Sequence, residues 1–283
     1  MLRSLFSAVS GLRANQFMLD VTGNNIANAN TPGFKASNVV FQDTLSQMLT
    51  AGTSPGNGSG GTNPIQVGLG VQVGGTIANF GQGSAQATGR TTNMMIQGDG
   101  FFVVGHGAEN LYTRAGAFNF DTNGNLVTPD GDIVQGYPAD ANGNINASGT
   151  PSPINIPDLT NNTAANPMTS YNIGKNGVIT GIYADGTKKP LFQVAVANFA
   201  NPEGLDKVGD TAFRASNGSG AVQLGAPGVG RNGTLMGGSL EMSNVDLAQE
   251  FTNLIIAQRG FQATSKVITT SDQVLQDLVN LKQ

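Results

Sequence analysis

The sequence predicts an α+β protein in which long N- and C-terminal helices pair as a coiled coil and flank a central antiparallel β domain. Three observations lead to this fold class. Apolar residues recur at helical spacing at the beginning of the chain, and they recur at intervals of seven at its end. Between these stretches, short apolar runs alternate with Asn-Gly and Asp-Gly pairs, which are typical of β-hairpins.

The first helix is predicted from Leu2 to about Ile26. Its apolar residues follow one another at alternating steps of three and four, although Gln16 and Gly23 occupy two places in the stripe. The run from Asn24 to Gly33 should end the helix, because Pro and Gly stop helices and Asn tolerates turns. The predicted interface residues of this helix are Leu2, Leu5, Val9, Leu12, Leu19 and Ile26.

The second helix is predicted from Val245 to Leu281, with Gly260 as a weak point in its middle. Ser243 or Asn244 is expected to cap its start, and Asp246 and Glu250 would lie early, where the helix dipole favours negative charge. The stripe widens at Ile255, Leu278 and Val279. The predicted interface residues are Leu247, Phe251, Leu254, Phe261, Ile268 and Leu275.

The segments between the helices differ in composition. Residues 44–89 contain no charged side chain, so 34–90 is predicted as an extended connector. Residues 91–239 are predicted as a β-rich outer domain, with strands at Phe101–Val104, 117–120 and 191–196. Residues 1–33 and 240–283 would then form one terminal helical domain. Asn-Gly and Asp-Gly pairs are expected in tight hairpin turns, because both central residues can take positive φ.

Composition excludes several classes of function. A net charge of −4 and a pI near 4.9 argue against nucleic-acid binding, which needs a basic surface. Without cysteine, and with His106 as the single histidine, thiolate and multi-histidine metal sites are excluded. We therefore expect no catalytic residues, no metal and no cofactor, hence no enzyme. No stretch approaches the roughly 20 apolar residues of a membrane span, and no cleavable signal peptide is evident.

Three local motifs have a functional and a simpler interpretation. The run beginning at Asp121 resembles half of a calcium loop, but Leu126 stands where that loop needs Gly, so a hairpin turn is preferred. Residues 97–101 are rich in Gly and are interpreted as a turn entering a strand rather than a pyrophosphate cradle. His106 is interpreted as a surface residue, because no nucleophile or orienting acid can be assigned beside it.

The apolar stripes at the two ends predict assembly between copies. A helix of this kind is marginal in water unless its apolar face is covered, and two helices alone cannot cover broad stripes. Burial of five such side chains would contribute roughly 8–15 kcal/mol as an upper bound. We therefore expect both ends to be loosely ordered in the monomer and to become ordered on assembly.

Several stretches resemble the bacterial flagellar rod and hook proteins. The run from Ser10 to Lys35 resembles that family's N-terminal signature, in which the matching residues include Asn24, Asn25, Asn28, Asn30, Thr31, Pro32, Gly33 and Phe34. Residues 67–71, 88–90 and 100–102, and 112–118 with 136–139, resemble the hook protein in particular. The run from Gly238 to Arg259 resembles the C-terminal helix shared by rod and hook proteins.

The resemblance implies a structural subunit that is exported through the flagellar type III apparatus without a cleaved signal and that polymerises into a helical tube. Its terminal helices would form an inner coiled-coil layer, with β domains outside. Family hook proteins carry an early Phe-x-x-x-apolar export motif; the aligned pair here is Leu5 and Val9, with Phe6 one place out of register.

Hook and rod remain the two alternatives. Residues 136–139 and 156–157 favour a hook subunit of the short type without an additional outer domain, in an extracellular, curved and flexible tube that passes motor torque to the filament. The implied partners are other copies, the rod, the hook cap and the hook–filament junction proteins. The alternative is the distal rod protein, a stiff drive shaft. A remote alternative is an exported β-rich binding domain.

Overall fold

The computed structural model describes residues 2–54, 56, 60–107, 109–140, 143–147, 149–156 and 167–280, without the side chains of Leu2 and Leu278. The chain divides into two compact units. The helical unit consists of Met1–Ala27, Ser37–Ala78 and Val245–Gln283. The β unit consists of Asn28–Ala36 and Asn79–Asn244. The predicted α+β fold is confirmed, with a helix at each end and an antiparallel β domain between them.

The helical unit contains two long helices and two short antiparallel ribbons. Its elements are α1 (Leu2–Ala27), β1 (Ser37–Asp43), β2 (Ser46–Thr50), β3 (Ile65–Gly68), β4 (Val71–Ala78) and α2 (Leu247–Asn280). Strand β1 pairs with β4, and β2 pairs with β3. The segment predicted as an extended connector, 34–90, therefore contributes both ribbons to this unit.

Helix α2 begins two residues later than predicted, because a different residue caps it. The Asp246 carboxylate accepts hydrogen bonds from the amides of Ala248 and Gln249, at 2.9 and 3.2 Å. Asn244, the expected cap, instead accepts a hydrogen bond from the amide of Ala36. Asp246 thus satisfies two of the amides that a helix start leaves without partners. Leu281, the predicted last residue of the helix, lies outside the described residues.

Helices α1 and α2 run antiparallel and approach closely where their side chains are small. A Cβ atom on Gly11 would lie 3.3 Å from Cγ2 of Thr264, and one on Gly260 would lie 2.6 Å from Oδ1 of Asn15. The step of four from Gly11 to Asn15 along α1 is matched by the step of four back from Thr264 to Gly260 along α2. Ala257, in the same face of α2, is completely buried. Gly260, expected to be a weak point, is therefore a place of close helix approach.

The β unit is built from short strands around one large antiparallel sheet. Its strands are β5 (Ala85–Ala87), β6 (Met94–Gln97), β7 (Phe101–His106), β8 (Glu109–Thr113), β9 (Asn119–Phe120), β10 (Leu126–Val127), β11 (Ile133–Pro138), β12 (Ser152–Pro153), β13 (Met168–Ile173), β14 (Val178–Tyr183), β15 (Lys188–Val194), β16 (Val196–Asn198), β17 (Asp206–Gly209), β18 (Ala212–Arg214), β19 (Gln223–Gly225), β20 (Thr234–Gly237) and β21 (Ser239–Glu241). The main path of the sheet has the order β13-β14-β15-β11-β7-β8-β18-β17.

Strand β7 is buried on both faces and connects two apolar clusters. Phe102 and Val104 belong to one cluster, and Phe101 and Val103 belong to the other, as the period of two along a strand requires. The predicted strand at 117–120 is shorter than expected, covering only β9, and the one at 191–196 is divided at Ala195 between β15 and β16.

The hairpin turns differ from the expected type. At Asn123-Gly124 and Asp185-Gly186 only the glycine has a positive φ, 81° in both cases, while the residue before it does not. These turns match a type I turn followed by a left-handed Gly. In the turn between β17 and β18, three consecutive residues have positive φ: Gly209 at 119°, Asp210 at 50° and Thr211 at 57°. The predicted turns are therefore present, but in these two pairs only the glycine adopts the positive φ that both residues can take.

Candidate assembly interface

The helical unit carries almost all of the exposed large apolar side chains. Among the described residues, every exposed large apolar side chain belongs to this unit except Val208, Leu224 and Val229. Both buried apolar clusters found among the described residues lie in the β unit. The β unit therefore has a core of its own, whereas the helical unit presents apolar surface that water disfavours.

On α2, the residues predicted as an interface divide into two groups. Leu254, Phe261, Ile268 and Leu275 are half-buried, whereas Leu247 and Phe251 are exposed by 43% and 51%. The exposed apolar surface also includes residues outside the predicted set: Ile255, Ile256, Val267, Val274 and Val279. Helix α2 thus has more apolar surface than its contact with α1 covers.

On α1, the stripe is covered only in part. Leu5, Leu12, Leu19 and Ile26 are half-buried and Val9 is 38% exposed, while the side chain of Leu2 lies outside the described residues. Phe6 is 71% exposed. It lines an open groove of about 620 Å³ between α1 and β4, together with Val9, Arg13, Phe17, Val71 and Val73. The spacing of apolar residues along α1 could not predict this groove, because β4 forms one of its sides.

The β2–β3 ribbon is exposed on both faces. Leu45, just before β2, is 85% exposed, and Met48, Leu49 and Ile65 are each more than half exposed. All residues of β2 and β3 are exposed. An isolated two-stranded ribbon is marginally stable in water. This apolar, uncharged ribbon is therefore a second surface suited to burial against another molecule.

Asn25 connects three segments of the helical unit. Its Nδ2 donates to the carbonyl of Ser37 at 2.9 Å and to Oε1 of Glu250 at 3.0 Å, and its Oδ1 accepts from the amide of Ser37 at 3.0 Å. Both Asn25 and Glu250 are buried. Because a buried amide must satisfy donors and acceptors together, Asp or Leu at position 25 would leave groups without partners.

The other signature residues shape the turn after α1. The Thr31 hydroxyl donates to Oδ1 of Asn28, and the Thr31 amide donates to the carbonyl of Asn28. Gly33 has φ of 74°, and a Cβ there would lie 2.4 Å from the amide nitrogen of Ala115. Asn24 and Asn30 are exposed and Pro32 is half-buried. The Lys207 ammonium lies 5.2 Å from the ring centroid of Phe34.

A buried charge cluster lies where the chain leaves the β unit. Nζ of Lys35 is 2.6 Å from Oε1 of Glu241, and Nη1 of Arg114 is 3.5 Å from Oε2 of Glu241. The side chains of Lys35 and Glu241 have no exposed surface. Burial lowers the pKa of Lys35, and the hydrogen bond and charge of Glu241 offset part of this effect. We call these three residues the Glu241 cluster.

The Glu241 cluster brings together three of the four stretches of the β unit at which the chain continues into the helical unit. Lys35 donates to the carbonyl of Gly81 at 2.8 Å, and Glu241 accepts from the amide of Gly83 at 3.0 Å. The Asn244 side chain accepts a hydrogen bond from the amide of Ala36 and donates one to the carbonyl of Asn79, which are the terminal residues of the β unit on the other two stretches. This cluster was not predicted from the sequence. The sole signal was that its three members are charged, in a chain in which only 11% of the residues are charged.

The three motifs considered for chemistry lie in turns or on exposed side chains of the β unit. Oδ1 of Asp121 accepts hydrogen bonds from the amides of Asn123 and Asn125, which confirms the predicted hairpin turn. The Gly-rich run leads from β6 into β7, as predicted. His106 is exposed, as predicted, but the expectation that no acid lies beside it was wrong, since Nδ1 of His106 lies 2.6 Å from Oδ1 of Asp132. No helix in the described part of the chain is long and apolar enough to cross a membrane.

Three protein-family models match the chain. The model described as "Flagella basal body rod protein" matches residues 5–35. "Flagellar hook protein FlgE/F/G D1 domain" matches residues 95–181, and "Flagellar basal body rod FlgEFG protein C-terminal" matches residues 236–281. Together they cover most of α1 and the turn after it, residues 95–181 of the β unit, and β21 with α2.

Relatives match the chain over its whole length. A protein named flagellar basal-body rod protein FlgG from Bacillus subtilis (strain 168) is 45% identical over 284 residues, which cover 100% of both chains. The FlgG of Caulobacter vibrioides is 36% identical, covering 99% of this chain and 100% of its own. The flagellar hook protein FlgE of Borreliella burgdorferi is 31% identical over 441 residues, covering 100% of both chains.

Proposed function

We propose that this chain, which belongs to the family of bacterial flagellar rod and hook proteins, polymerises into the tube of the flagellar rod. The family is structural rather than enzymatic. The observation that carries the proposal is the concentration of exposed apolar side chains in the helical unit, beside a β unit with its own core. A polymer of many copies covers such surfaces, whereas a monomer leaves them in water.

In the proposed tube, α1 and α2 pack as a coiled coil with the helices of neighbouring copies. The half-buried stripe residues Leu254, Phe261 and Ile268 face α1 within one copy, and Phe251 and Ile255 face other copies. The β2–β3 ribbon fills space between neighbours. Because α1 and α2 approach each other at Gly and Ala residues, their larger side chains can contact neighbouring copies.

The comparisons favour the rod over the hook, against the preference drawn from the sequence motifs. The relative at 45% identity is named a rod protein and aligns over 284 positions, whereas the hook relative aligns over 441 at 31% identity. Tyr137 and Ile156, from the hook-like motifs, are 1% and 2% exposed. They therefore pack inside the β unit, and such packing can occur in a rod protein as well as in a hook protein. Pro157 lies outside the described residues.

The hook remains the second candidate, because a protein named as hook aligns over the complete length of this chain. Under either function the partners include other copies and the type III export apparatus, with Leu5 and Val9 proposed as part of the export signal. The rod function adds the hook as a neighbour. The hook function adds the hook cap and the hook–filament junction proteins, and an extracellular location.

Electron microscopy of purified hook–basal bodies tests the choice, with antibody against the β unit as the label. Label on the straight shaft supports the rod function. Label along the curved extracellular segment overturns the rod in favour of the hook, and absence of label from both overturns the whole proposal.

Assembly of a purified variant tests the apolar surface itself. Phe251→Asp should abolish polymers, because it places a charge in the exposed apolar face of α2. Gln262→Asp is the matched control, since it places the same residue at an exposed polar site on the same helix and should assemble normally. Normal polymers from Phe251→Asp contradict the proposed role of this face.

A further inference from the structure

The β unit has an apolar cleft with acidic side chains at its margin. The cleft has a volume of about 240 Å³, and its apolar lining consists of Pro32, Val104, Ala115, Ala117, Pro129 and Ala212. Asp130, Asp132 and Asp210 also line it. Asp132 is paired with His106. In the described part of the chain, no ion pair or side-chain hydrogen bond engages the carboxylates of Asp130 and Asp210, both exposed.

The margin of the cleft is held in an uncommon backbone conformation. Asp210 and Thr211 are the only non-glycine residues with positive φ among those described, and such residues cost free energy that the surroundings must offset. The Thr113 hydroxyl donates to the carbonyl of Thr211 at 3.0 Å, and it accepts from the amide of Ala115. These contacts keep Asp210 at the margin of the cleft.

A complementary projection lies elsewhere on the same unit. Val229 is 64% exposed, more than the other exposed large apolar residues of the β unit, and Arg231 follows two residues later, also exposed. Arg231 has no ion pair within the described residues. The amide of Gly233 donates to the carbonyl of Asp99 at 2.7 Å, and that of Gly228 donates to Gly233 at 3.0 Å. The loop is therefore anchored at its base.

The two features are complementary in apolar character and in charge. An isolated apolar projection beside a cation fits an apolar cleft beside uncompensated carboxylates. No residue of the loop 226–233 lines the cleft, so the two surfaces are separate on one copy. Contact between different surfaces of identical subunits is heterologous, and such contacts build open helical polymers when the rotation does not close a ring.

We propose that Val229 of one copy inserts into the cleft of a second copy, with Arg231 beside Asp130 and Asp210. This contact rests on the proposed polymerisation and adds to it a specific interface between β units. Burial of the valine stabilises the contact, and the charges fix its orientation. The interface is separate from the apolar surfaces of the helical unit.

Disulfide cross-linking between full-length chains tests the contact, because the natural chain has no cysteine. Chains carrying Val229→Cys are mixed with chains carrying Ala117→Cys, polymerised and oxidised. A disulfide requires Cβ atoms about 3.5–4.5 Å apart, so the mixed dimer should form in polymers. Asn217→Cys, in an exposed turn outside both surfaces, replaces Val229→Cys as the control and should give no mixed dimer. Normal polymers without the mixed dimer overturn the contact.

A charge exchange gives an independent readout. Arg231→Glu and the cleft variant Asp130→Lys/Asp210→Asn should each raise the critical concentration for polymerisation about tenfold. Their combination should return it to within about twofold of the natural chain, because the exchanged charges attract each other again. Separate variants that assemble like the natural chain, or a combination no better than either, overturn the contact while the polymer stands. A natural chain that forms no polymer at any concentration overturns the proposed function and this contact together.

Discussion

Glu241→Gln should destabilise the β unit severely. The substitution keeps the size of the side chain and removes its charge. Lys35 then loses its counter-charge while remaining buried, and Arg114 keeps only the weaker attraction of Asp99. Lys35 and Glu241 have no exposed side-chain surface, and Arg114 has 3%. Removing one partner from a buried ion pair costs about 3–5 kcal/mol. For a unit of this size, each kcal/mol lowers Tm by about 2–4 °C, which gives a fall of roughly 6–20 °C.

The assay is thermal and urea unfolding of the full-length monomer, followed by near-ultraviolet circular dichroism of the tyrosines. All four tyrosines of the chain lie in the β unit, so the signal reports on that unit. Lys35→Met alone should also lower the free energy of unfolding of the β unit, because Glu241 would keep only Arg114 as its ionic partner, at 3.5 Å.

The double variant Lys35→Met/Glu241→Gln distinguishes the ion pair from simple packing. If the charges act as a pair, the free energy of unfolding of the double variant should be at least about 1 kcal/mol higher than the sum of the two single losses predicts. A loss below about 1 kcal/mol for Glu241→Gln, or strictly additive losses, would refute the assigned role of the cluster.

Three further changes probe the β unit, each by thermal unfolding. Tyr137→Phe should be neutral or stabilising by up to about 1 kcal/mol, because the buried Tyr137 hydroxyl has no hydrogen-bond partner among the described residues; a loss above about 1 kcal/mol contradicts this. Gly33→Ala should cost at least about 2 kcal/mol, because φ is 74° and the new Cβ would meet the backbone of Ala115; a neutral effect contradicts it. Hydrogen bonds from Asn125 lower the pKa of Asp121, so its stabilisation is present above the ordinary value of 3.8 and is lost as pH falls through the lowered pKa. The Tm of the natural chain should therefore exceed that of Asp121→Asn by less below about pH 4 than above it. A difference in Tm that does not change with pH contradicts the lowered pKa of Asp121.

Periodicity predicted the two helices because they are long and their apolar spacing is regular. It could not predict the cap of α2, because Ser243, Asn244 and Asp246 are all competent caps and the choice depends on distant segments. Asn244 is engaged by Ala36 and Asn79, both more than 160 residues away in sequence, which leaves Asp246 to cap the helix.

The sequence could predict the apolar stripe of the candidate interface, but not which of its residues are exposed. Spacing at intervals of seven identified Leu254 and Phe261, yet it could not tell which apolar residues face α1 and which face solvent. That division depends on the close approach at Gly11 and Gly260, which turns Ile255 and Ile256 outward. The Glu241 cluster was not predictable, because its ion pair joins residues 206 positions apart.

The apolar face of α2 carries the central claim, and its accessibility in monomer and polymer is the most direct test. Ile255→Cys introduces a single thiol at a position that is 56% exposed in one copy of a cysteine-free chain. Maleimide should label this thiol rapidly in dilute monomer and at least about tenfold more slowly in assembled polymer, where a neighbouring copy covers it. Equal labelling rates in the two states, with Gln262→Cys as the exposed reference, would contradict burial of this face on assembly.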